Sequence, residues 1–244
     1  MKALVVVPTF NEAGNLPTLV QHLFDLHIPD LDLLVVDDNS PDGTALVAET
    51  LGREHPQRIH VLRRPRKEGL GPAYVAGFQE ALRLKADVII QMDADLSHPP
   101  EYIPALLEGI KTCDVMVGSR YVSGGGVAAN WGFRRRLLSW GGDLYVRWVM
   151  GLRLKDTKSG FKGFRRKVLE QLPLTALKSR GFIFQAEVMY RCQQMGFHIR
   201  EFPFVFQERR TGGSKMSASI MAEALWRCLQ IRATGTGGKR STGG

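Results

Sequence analysis

Short apolar runs alternate with amphipathic stretches through residues 1–120. Ala3–Val7, Leu33–Val36, Ile59–Leu62, Val88–Met92 and Val115–Val117 are brief and rich in Val, Ile and Leu, the pattern of strands buried on both faces of a parallel sheet. Between them Leu16–Leu26, Thr44–Glu54, Pro72–Leu84 and Pro100–Ile110 read as helices. In the third, Val75, Phe78, Gln79 and Leu82 recur at helical spacing. Ser40 or Asp42 stands ahead of Thr44 as a cap, and Pro99–Pro100 sits where a helix tolerates proline, at its start. Strand–helix alternation predicts βαβ units with right-handed crossovers and helices on both faces of a mostly parallel sheet. Such α/β folds put ligands beyond the carboxyl ends of their strands, so the chemistry is expected just after each apolar run.

Beyond residue 120 the pattern loosens. Gly124-Gly125-Gly126 reads as a flexible connection, Arg134–Met150 as a long helix, and Phe197–Phe206 as a strand bent by Pro203. A last helical pattern, Met216–Ile231, gathers Ile220, Met221, Ala224, Leu225, Cys228 and Ile231 on one face, with Glu223, Arg227 and Gln230 mostly opposite. At ~1.5 Å per residue it reaches about 24 Å, enough to lie on a membrane interface but not to span it. Packing against the protein core is the other reading of that face. We expect one domain over 1–232, in halves 1–120 and 121–232, followed by a Gly/Thr/Lys-rich disordered tail at 233–244.

Composition narrows the classes. With 44% apolar and 23% charged residues over 244 positions the chain is ordinary globular material, able to bury a core. The longest apolar run is the five residues Ala3–Val7, too short for a transmembrane helix. Met1 leads directly into a strand and Pro8, so no secretory signal is expected, and Cys113, Cys192 and Cys228 read as reduced cytosolic thiols. The formal charge of +9 is unevenly spread. Residues 1–120 carry 11 Lys/Arg against 17 Asp/Glu, and residues 121–244 carry 22 against 7. A basic half calls for an anionic partner: nucleic acid, anionic lipid or phosphorylated substrates.

Polar clusters follow four of the five predicted strands: Pro8-Thr9-Phe10-Asn11-Glu12, Asp37 to Gly43, Asp93-Ala94-Asp95 and Gly118-Ser119-Arg120. Asp93-x-Asp95 is the sharpest. Two carboxylates one residue apart at a buried strand end repel each other, and a divalent cation of the Mg²⁺ or Mn²⁺ type, shared with phosphate oxygens, removes the conflict. A solvated turn with Asp93 capping backbone amides is the alternative. Of Asp37 and Asp38, which point to opposite faces, one can reach a base edge or ribose, and an Asx turn through Asn39-Ser40-Pro41 is compatible with that. Gly69-Leu70-Gly71 is no dinucleotide loop, because Tyr74 stands where the third glycine belongs. His22, His27, His55, His60, His98 and His198 are scattered and read as surface or strand-end histidines. Basic groups stand at Arg134–Arg136, Arg165–Lys167, Arg209–Arg210 and Lys215, the last two within R-R-T-G-G-S-K, where glycines expose amides for anion binding.

These motifs, in order, resemble the family-2 glycosyltransferases of GT-A fold, in particular the polyprenyl-phosphate (dolichol-phosphate) mannosyltransferases. The resemblance runs over about residues 3–232: P-T-F-N-E at 8–12, V-D-D-N-S-P-D-G-T at 36–44, G-L-G-P-A at 69–73, D-A-D-L-S-H-P-P-E at 93–101, G-S-R-Y-V-S-G-G-G-V at 118–127, N-W at 130–131, S-G-F-K at 159–162 and R-R-T-G-G-S-K at 209–215. It implies a Rossmann-like sheet and inverting transfer of mannose from GDP-mannose to a polyprenyl phosphate. Pro8, Phe10, Glu12, Val36 and Asp38 would hold the guanosine. Asp93, Ala94 and Asp95 would hold the diphosphate, with Mg²⁺ or Mn²⁺ on Asp93, Asp95 and Ser97. Arg120, Arg135 and Ser139 would receive the lipid phosphate, and Arg209 and Lys215 would close over the donor. Asp95, Arg120, Arg135 and Arg209 are the candidate catalytic residues. The acceptor phosphate has a second pKa of about 6 and is already an anionic nucleophile, so no general base is required. The resemblance further implies a protein at the cytoplasmic face of a membrane, with a possible anchoring partner. Trp131, Trp140 and Trp148 with Arg134–Arg136 and Arg147 offer a second membrane face. A transferase using another sugar nucleotide such as UDP-glucose is the near alternative. Nucleic-acid binding would leave the acidic strand ends unexplained and is not expected.

Overall fold

A computed structural model describes residues 1–128, 132–177, 179, 181, 183–207 and 226–233, with only the backbone of 133–135. In chain order these form β1 (Ala3–Thr9), α1 (Leu16–Phe24), β2 (Leu31–Asp37), α2 (Thr44–Glu54), β3 (Ile59–Arg63), α3 (Leu70–Arg83), β4 (Val88–Gln91), α4 (Ile103–Ile110) and β5 (Val115–Ser119). Then come β6 (Gly126–Val127), α5 (Phe133–Met150), β7 (Lys162–Arg165), α6 (Arg166–Gln171), α7 (Ile183–Gln194), β8 (Ile199–Pro203), β9 (Val205–Phe206) and a helical segment at 226–233. The expected helix from Pro100 opens as a 3₁₀ turn, Pro100–Tyr102, before α4.

Seven strands make one sheet in the order β3-β2-β1-β4-β7-β5-β8. All pairs are parallel except those of β7, which runs antiparallel between β4 and β5. Alternation along β1 shows why both faces are covered. Leu4 and Val6 join a core with Tyr74 and Phe78 of α3, whereas Val5 and Val7 join a second core with Leu16 and Leu19 of α1. The β7 strand and the α6–α7 pair were not expected from the sequence. The strand expected over Phe197–Phe206 is two: β8 pairs with β5 and ends at Pro203, and β9 pairs with β6 in a separate two-stranded ladder. Pro203 has no N–H for the ladder, so the chain leaves the main sheet there.

One further expectation is corrected. The Gly124–Gly126 stretch is a tight turn and not a loose connection. The Gly125 N–H donates to the Val122 carbonyl at 2.9 Å, and a Cβ on Gly125 would lie 2.3 Å from the Ser119 oxygen. In the last helical pattern, of which only 226–233 is described, Cys228 and Ile231 pack into the α3 core beside Val146, Val149 and Met150. At Cys228 and Ile231 the core-packing reading therefore holds, and among the described residues of this helix Trp226 and Leu229 are the exposed large apolar ones.

Close approach of α3 to the sheet rests on Gly77. A Cβ there would sit 2.4 Å from Val6 Cγ1 and 3.0 Å from Val36 Cγ2, both in the rigid interior of the sheet. Gly77→Ala should destabilise the protein by about 1–3 kcal/mol through overpacking, read as a lower midpoint in thermal or urea unfolding. An unchanged midpoint would mean that α3 is free to move outward.

Candidate active site

The loops after β1 and β2 are stitched together. Backbone N–H groups of Asn11, Glu12 and Ala13 donate to Ser40 Oγ, Thr44 Oγ1 and Asp42 Oδ2 at 3.1, 3.0 and 3.1 Å. Asn11 and Asn39 take left-handed φ of 63° and 58°, a conformation asparagine tolerates, which turns each chain sharply at its strand end. Asp37 closes the turn by accepting from the Ser40 N–H at 3.0 Å and Ser40 Oγ at 2.6 Å, three residues on and not the two of an Asx turn. Asp38 turns the other way, as opposite-facing neighbours must. Its Oδ1 is bound by Arg64 Nη1, while Arg64 Nη2 reaches Glu68 Oε2 at 2.8 Å. Burial raises the Asp38 carboxyl, with Arg64 opposing. Lys67 Nζ lies 3.5 Å from the Phe10 ring centroid. Pro8, Phe10 and Glu12 are partly exposed here, but Val36 is fully buried in the α3 core. Of the expected base-binding residues, Val36 has only backbone to offer.

The Asp93–Asp95 segment leaves the end of β4. Tyr74 Oη donates to Asp93 Oδ1 at 2.9 Å. Burial, with Asp93 nearby, pushes this phenol well up, so it keeps its proton. The residue that excludes a dinucleotide loop is thus the one that holds Asp93. The Asp93 N–H donates to His98 Nδ1 at 3.2 Å. His98 is buried against Phe161, Phe204 and Phe206, and burial lowers its pKa. A neutral ring accepting at Nδ1 is no ion-pair partner for Asp93 Oδ2, 3.8 Å away, and it is an interior group and not the surface or strand-end histidine expected. Asp95 is buried, and its Oδ1 accepts from the Ser97 N–H at 3.0 Å and Ser97 Oγ at 2.5 Å. Ser97, fully buried, directs its hydroxyl at Asp95 and orients that carboxylate. Leu96 between them has φ of 61°, left-handed and strained for a residue with a branched side chain. Ala94 is buried in the α1 core.

The segment before β7 crosses both sites. Gly160 lies against Asp93, where a Cβ would be 3.2 Å from Oδ2 and 2.9 Å from His98 Cε1. Asp156 accepts from Arg120 Nε and Nη2, both at 2.7 Å, in a bidentate pair. Arg120 lines a cleft of about 290 Å³ with Tyr121, Gly126, Val127, Arg136 and Trp140. A second cleft of about 260 Å³ shares Tyr121 and Trp140 and adds Asp143, Leu144, Arg147 and Lys155. Ser139, expected beside Arg120, bonds Tyr121 Oη through its Oγ at 2.8 Å. Arg135 lies on α5 with its side chain outside the described residues, and Trp131, Arg209 and Lys215 lie outside them altogether.

Other basic groups are structural. Arg165 donates to the Ile110, Lys111 and Cys113 carbonyls at the end of α4, and Lys167 pairs with Asp114 at 2.6 Å. On the outside, seven of the ten exposed large apolar side chains among the described residues belong to α5 and the 226–233 helix: Leu137, Leu138, Trp140, Leu144, Trp148, Trp226 and Leu229. Arg232 Nη1 joins the two helices at the Val149 carbonyl. No helix of the described residues is long and apolar enough to cross a membrane.

The site thus joins carboxylates at parallel strand ends to a segment that reaches Arg120, and the sequence profile of Glycosyl transferase family 2 matches residues 4–173. The chain belongs to glycosyl transferase family 2. Within the family it is similar to the undecaprenyl-phosphate mannosyltransferase of Micrococcus luteus, 44% identical over 225 residues that cover 92% of this chain and 91% of that one. It is also similar to the polyprenol monophosphomannose synthase of Mycolicibacterium smegmatis, 43% identical over 94% of this chain and 86% of the relative. Among solved structures, mannosyl-3-phosphoglycerate synthase from Rubrobacter xylanophilus superposes with a TM-score of 0.73 at 18% identity, over 100% of this chain and 77% of that one. Glucosyl-3-phosphoglycerate synthase from Mycobacterium tuberculosis, in complex with Mn²⁺, UDP and glucosyl-3-phosphoglycerate, gives 0.67 at 16% identity, over 98% and 81%. At those identities the likeness is one of fold.

Gly160, Lys162, Asp143 and Asp156 have no role assigned from sequence, although S-G-F-K marks the first two. Lys162 is fully buried, its Nζ donating to the Ser159 carbonyl and to Gln185 Oε1. Burial pushes its amine down to about 7, against the pull of Asp156 and Asp93. The unfolded amine titrates near ~10.4, so between these values the native state binds fewer protons and stability rises with pH. Lys162→Met should abolish this rise, measured as the wild-type-minus-variant difference in urea stability at about pH 7 and about pH 9.5. A difference that does not change with pH would sink it. At Gly160, an alanine should push Asp93 off its position and lower transferase turnover about ten- to a hundredfold while the fold persists. Wild-type turnover in Gly160→Ala would show that the Asp93 carboxylate tolerates displacement.

Proposed function

We propose that the chain transfers mannose from GDP-mannose to a polyprenyl phosphate, with inversion, giving polyprenyl β-mannosyl phosphate. The observation that carries this is identity of 43–44% across nine-tenths of the chain to two relatives named for mannosyl transfer to polyprenyl phosphates. The two-part site supports it. The surface around Phe10 and the Arg64–Glu68 loop would take the guanine, and Pro8, Glu12 and Asp38 would border the nucleoside. Asp93 and Asp95 would face the diphosphate.

The donor set fits a hard divalent cation. Asp93 and Asp95 supply carboxylate oxygens, Tyr74 and Ser97 fix their direction, and no group of three His, Cys, Asp or Glu gathers among the described residues. Two carboxylates suit Mg²⁺ or Mn²⁺ when diphosphate and water complete the shell. Such a cation would supply neutralisation of the departing diphosphate. Arg209 and Lys215 would add positive charge there. On the acceptor side Arg120, Arg135 and Ser139 would orient the phosphate, and Val127 and Trp140 would border the first isoprenyl units. A phosphate oxygen attacks the anomeric carbon opposite GDP. The new C–O bond forms as the bond to the diphosphate breaks, and GDP leaves with the electron pair. No proton has to move, consistent with a His98 whose Nδ1 lone pair is already used.

The exposed apolar stripe on α5 and 226–233, with Arg136, Arg147 and Arg227 nearby, would rest on the membrane that holds the acceptor, as a peripheral contact at the cytoplasmic face. Incubation with GDP-mannose, a short polyprenyl phosphate and Mg²⁺ or Mn²⁺ should yield mannosyl lipid with a β-linkage by NMR. Excess EDTA or Asp95→Ala should abolish it. Turnover with UDP-glucose alone would replace the donor assignment, and undiminished turnover in EDTA would remove the metal.

A further inference from the structure

The acceptor arginine is not a free cation. Arg120, with a side chain only 9% exposed, lies between two carboxylates that are almost wholly buried. Asp156 takes its Nε and Nη2 at 2.7 Å each and also the Arg120 backbone N–H at 3.0 Å. Asp143 Oδ2 stands 3.9 Å from Nη2, with Lys158 Nζ 3.2 Å from the same oxygen. Burial pushes the Asp156 carboxyl up, and Arg120 outweighs it and holds it below its ordinary value, so the group is charged. The Glu201 carboxylate fixes the Asp156 loop by accepting from the N–H groups of Lys155 and Asp156 at 2.8 and 3.0 Å. Among the described residues Arg120 Nη1 donates no hydrogen bond, the guanidinium carbon lies 5.2 and 5.7 Å from the Tyr121 and Phe206 ring centroids, and Arg120 lines the 290 Å³ cleft. The guanidinium therefore offers the cleft a direction with little net charge.

Resting on the transferase reading above, we propose that Asp156, assisted by Asp143, is a positioning residue that mutes Arg120 so that the acceptor phosphate stays reactive. The reason lies in how charge moves. In the ground state the phosphate monoester is a dianion. When its oxygen forms the bond to the anomeric carbon it becomes a diester monoanion, and the electron pair of the broken bond goes to the nucleoside diphosphate. A full positive charge on the acceptor side would stabilise the ground state more than the transition state, holding the lipid tightly and slowing its attack. Stabilising charge belongs on the leaving side, where negative charge increases. A guanidinium neutralised along one edge and directed along the other positions the phosphate without that penalty.

Asp156→Asn, an isosteric change that keeps a hydrogen-bond acceptor, tests this. Polyprenyl phosphate should bind at least about threefold more tightly, read by tryptophan fluorescence without donor. In turnover, the acceptor KM and kcat should fall together, with kcat down about tenfold and the GDP-mannose KM unchanged. Asp143→Asn, acting across the longer contact, should shift both in the same direction by less. Merely structural damage would not tighten lipid binding. Weaker or unchanged lipid binding in Asp156→Asn overturns the proposal. A wild-type protein that binds lipid phosphate but makes no mannosyl lipid would fail the transferase reading, while the binding measurement still decides the muting.

Discussion

The antiparallel insertion of β7 between β4 and β5 carries the 156–161 segment past the carboxyl ends of two parallel strands at once. Each residue of that segment meets a different part of the site. Asp156 takes Arg120, and Thr157 donates to Asp143 from both its N–H and its hydroxyl. Lys158 reaches Asp143 and the Ser139 carbonyl of α5, and Gly160 makes room for Asp93. Remove this strand and the acidic strand ends, Arg120 and the helix bearing the exposed tryptophans lose their common support. Charge buried in this way persists only where each group has a partner, and here the partners come from α5, β8 and the β7 segment together.

Legibility from sequence followed the same division. The strands of the first half are continuous Val/Ile/Leu runs because they are covered on both faces, so β1, β2, β4 and β5 were readable, and so were the polar clusters at their ends. β7 is Lys-Gly-Phe-Arg. A strand with charged ends and a glycine has no local signal, and it exists because Gln185 and the Ser159 carbonyl receive the Lys162 amine and because α4 has bare carbonyls for Arg165. α7 was hidden for a related reason: Gln185 and Glu187 lie buried beside Phe184 and Val188, so polar letters stand at core positions. The C-terminal pattern showed which residues share a face but not which neighbour that face would meet. Periodicity carries no information about the partner.

The uneven charge of the chain also takes on a different meaning. The excess of Lys and Arg after residue 120 suggested a broad anionic partner, yet much of it serves the protein itself. Arg165 closes a helix, Lys167 pairs with Asp114, Arg166 pairs with Glu170 and Arg232 fastens one helix to another. Arg120 likewise gives two of its nitrogens to Asp156, so these described cations are directional partners within the fold and not a free cationic surface.

Leu96 sets an order on how the site comes into being. A leucine does not choose a left-handed conformation in an isolated loop, where it is disfavoured by roughly 1–2 kcal/mol. Around it, Asp95 and Ser97 are both buried, so the hydrogen bonds that hold the turn gain strength only after β4 and its neighbours have excluded water. The turn is therefore a product of the assembled sheet and not of its own sequence. The direction of the Asp95 carboxylate depends on completed tertiary packing and not on secondary structure alone.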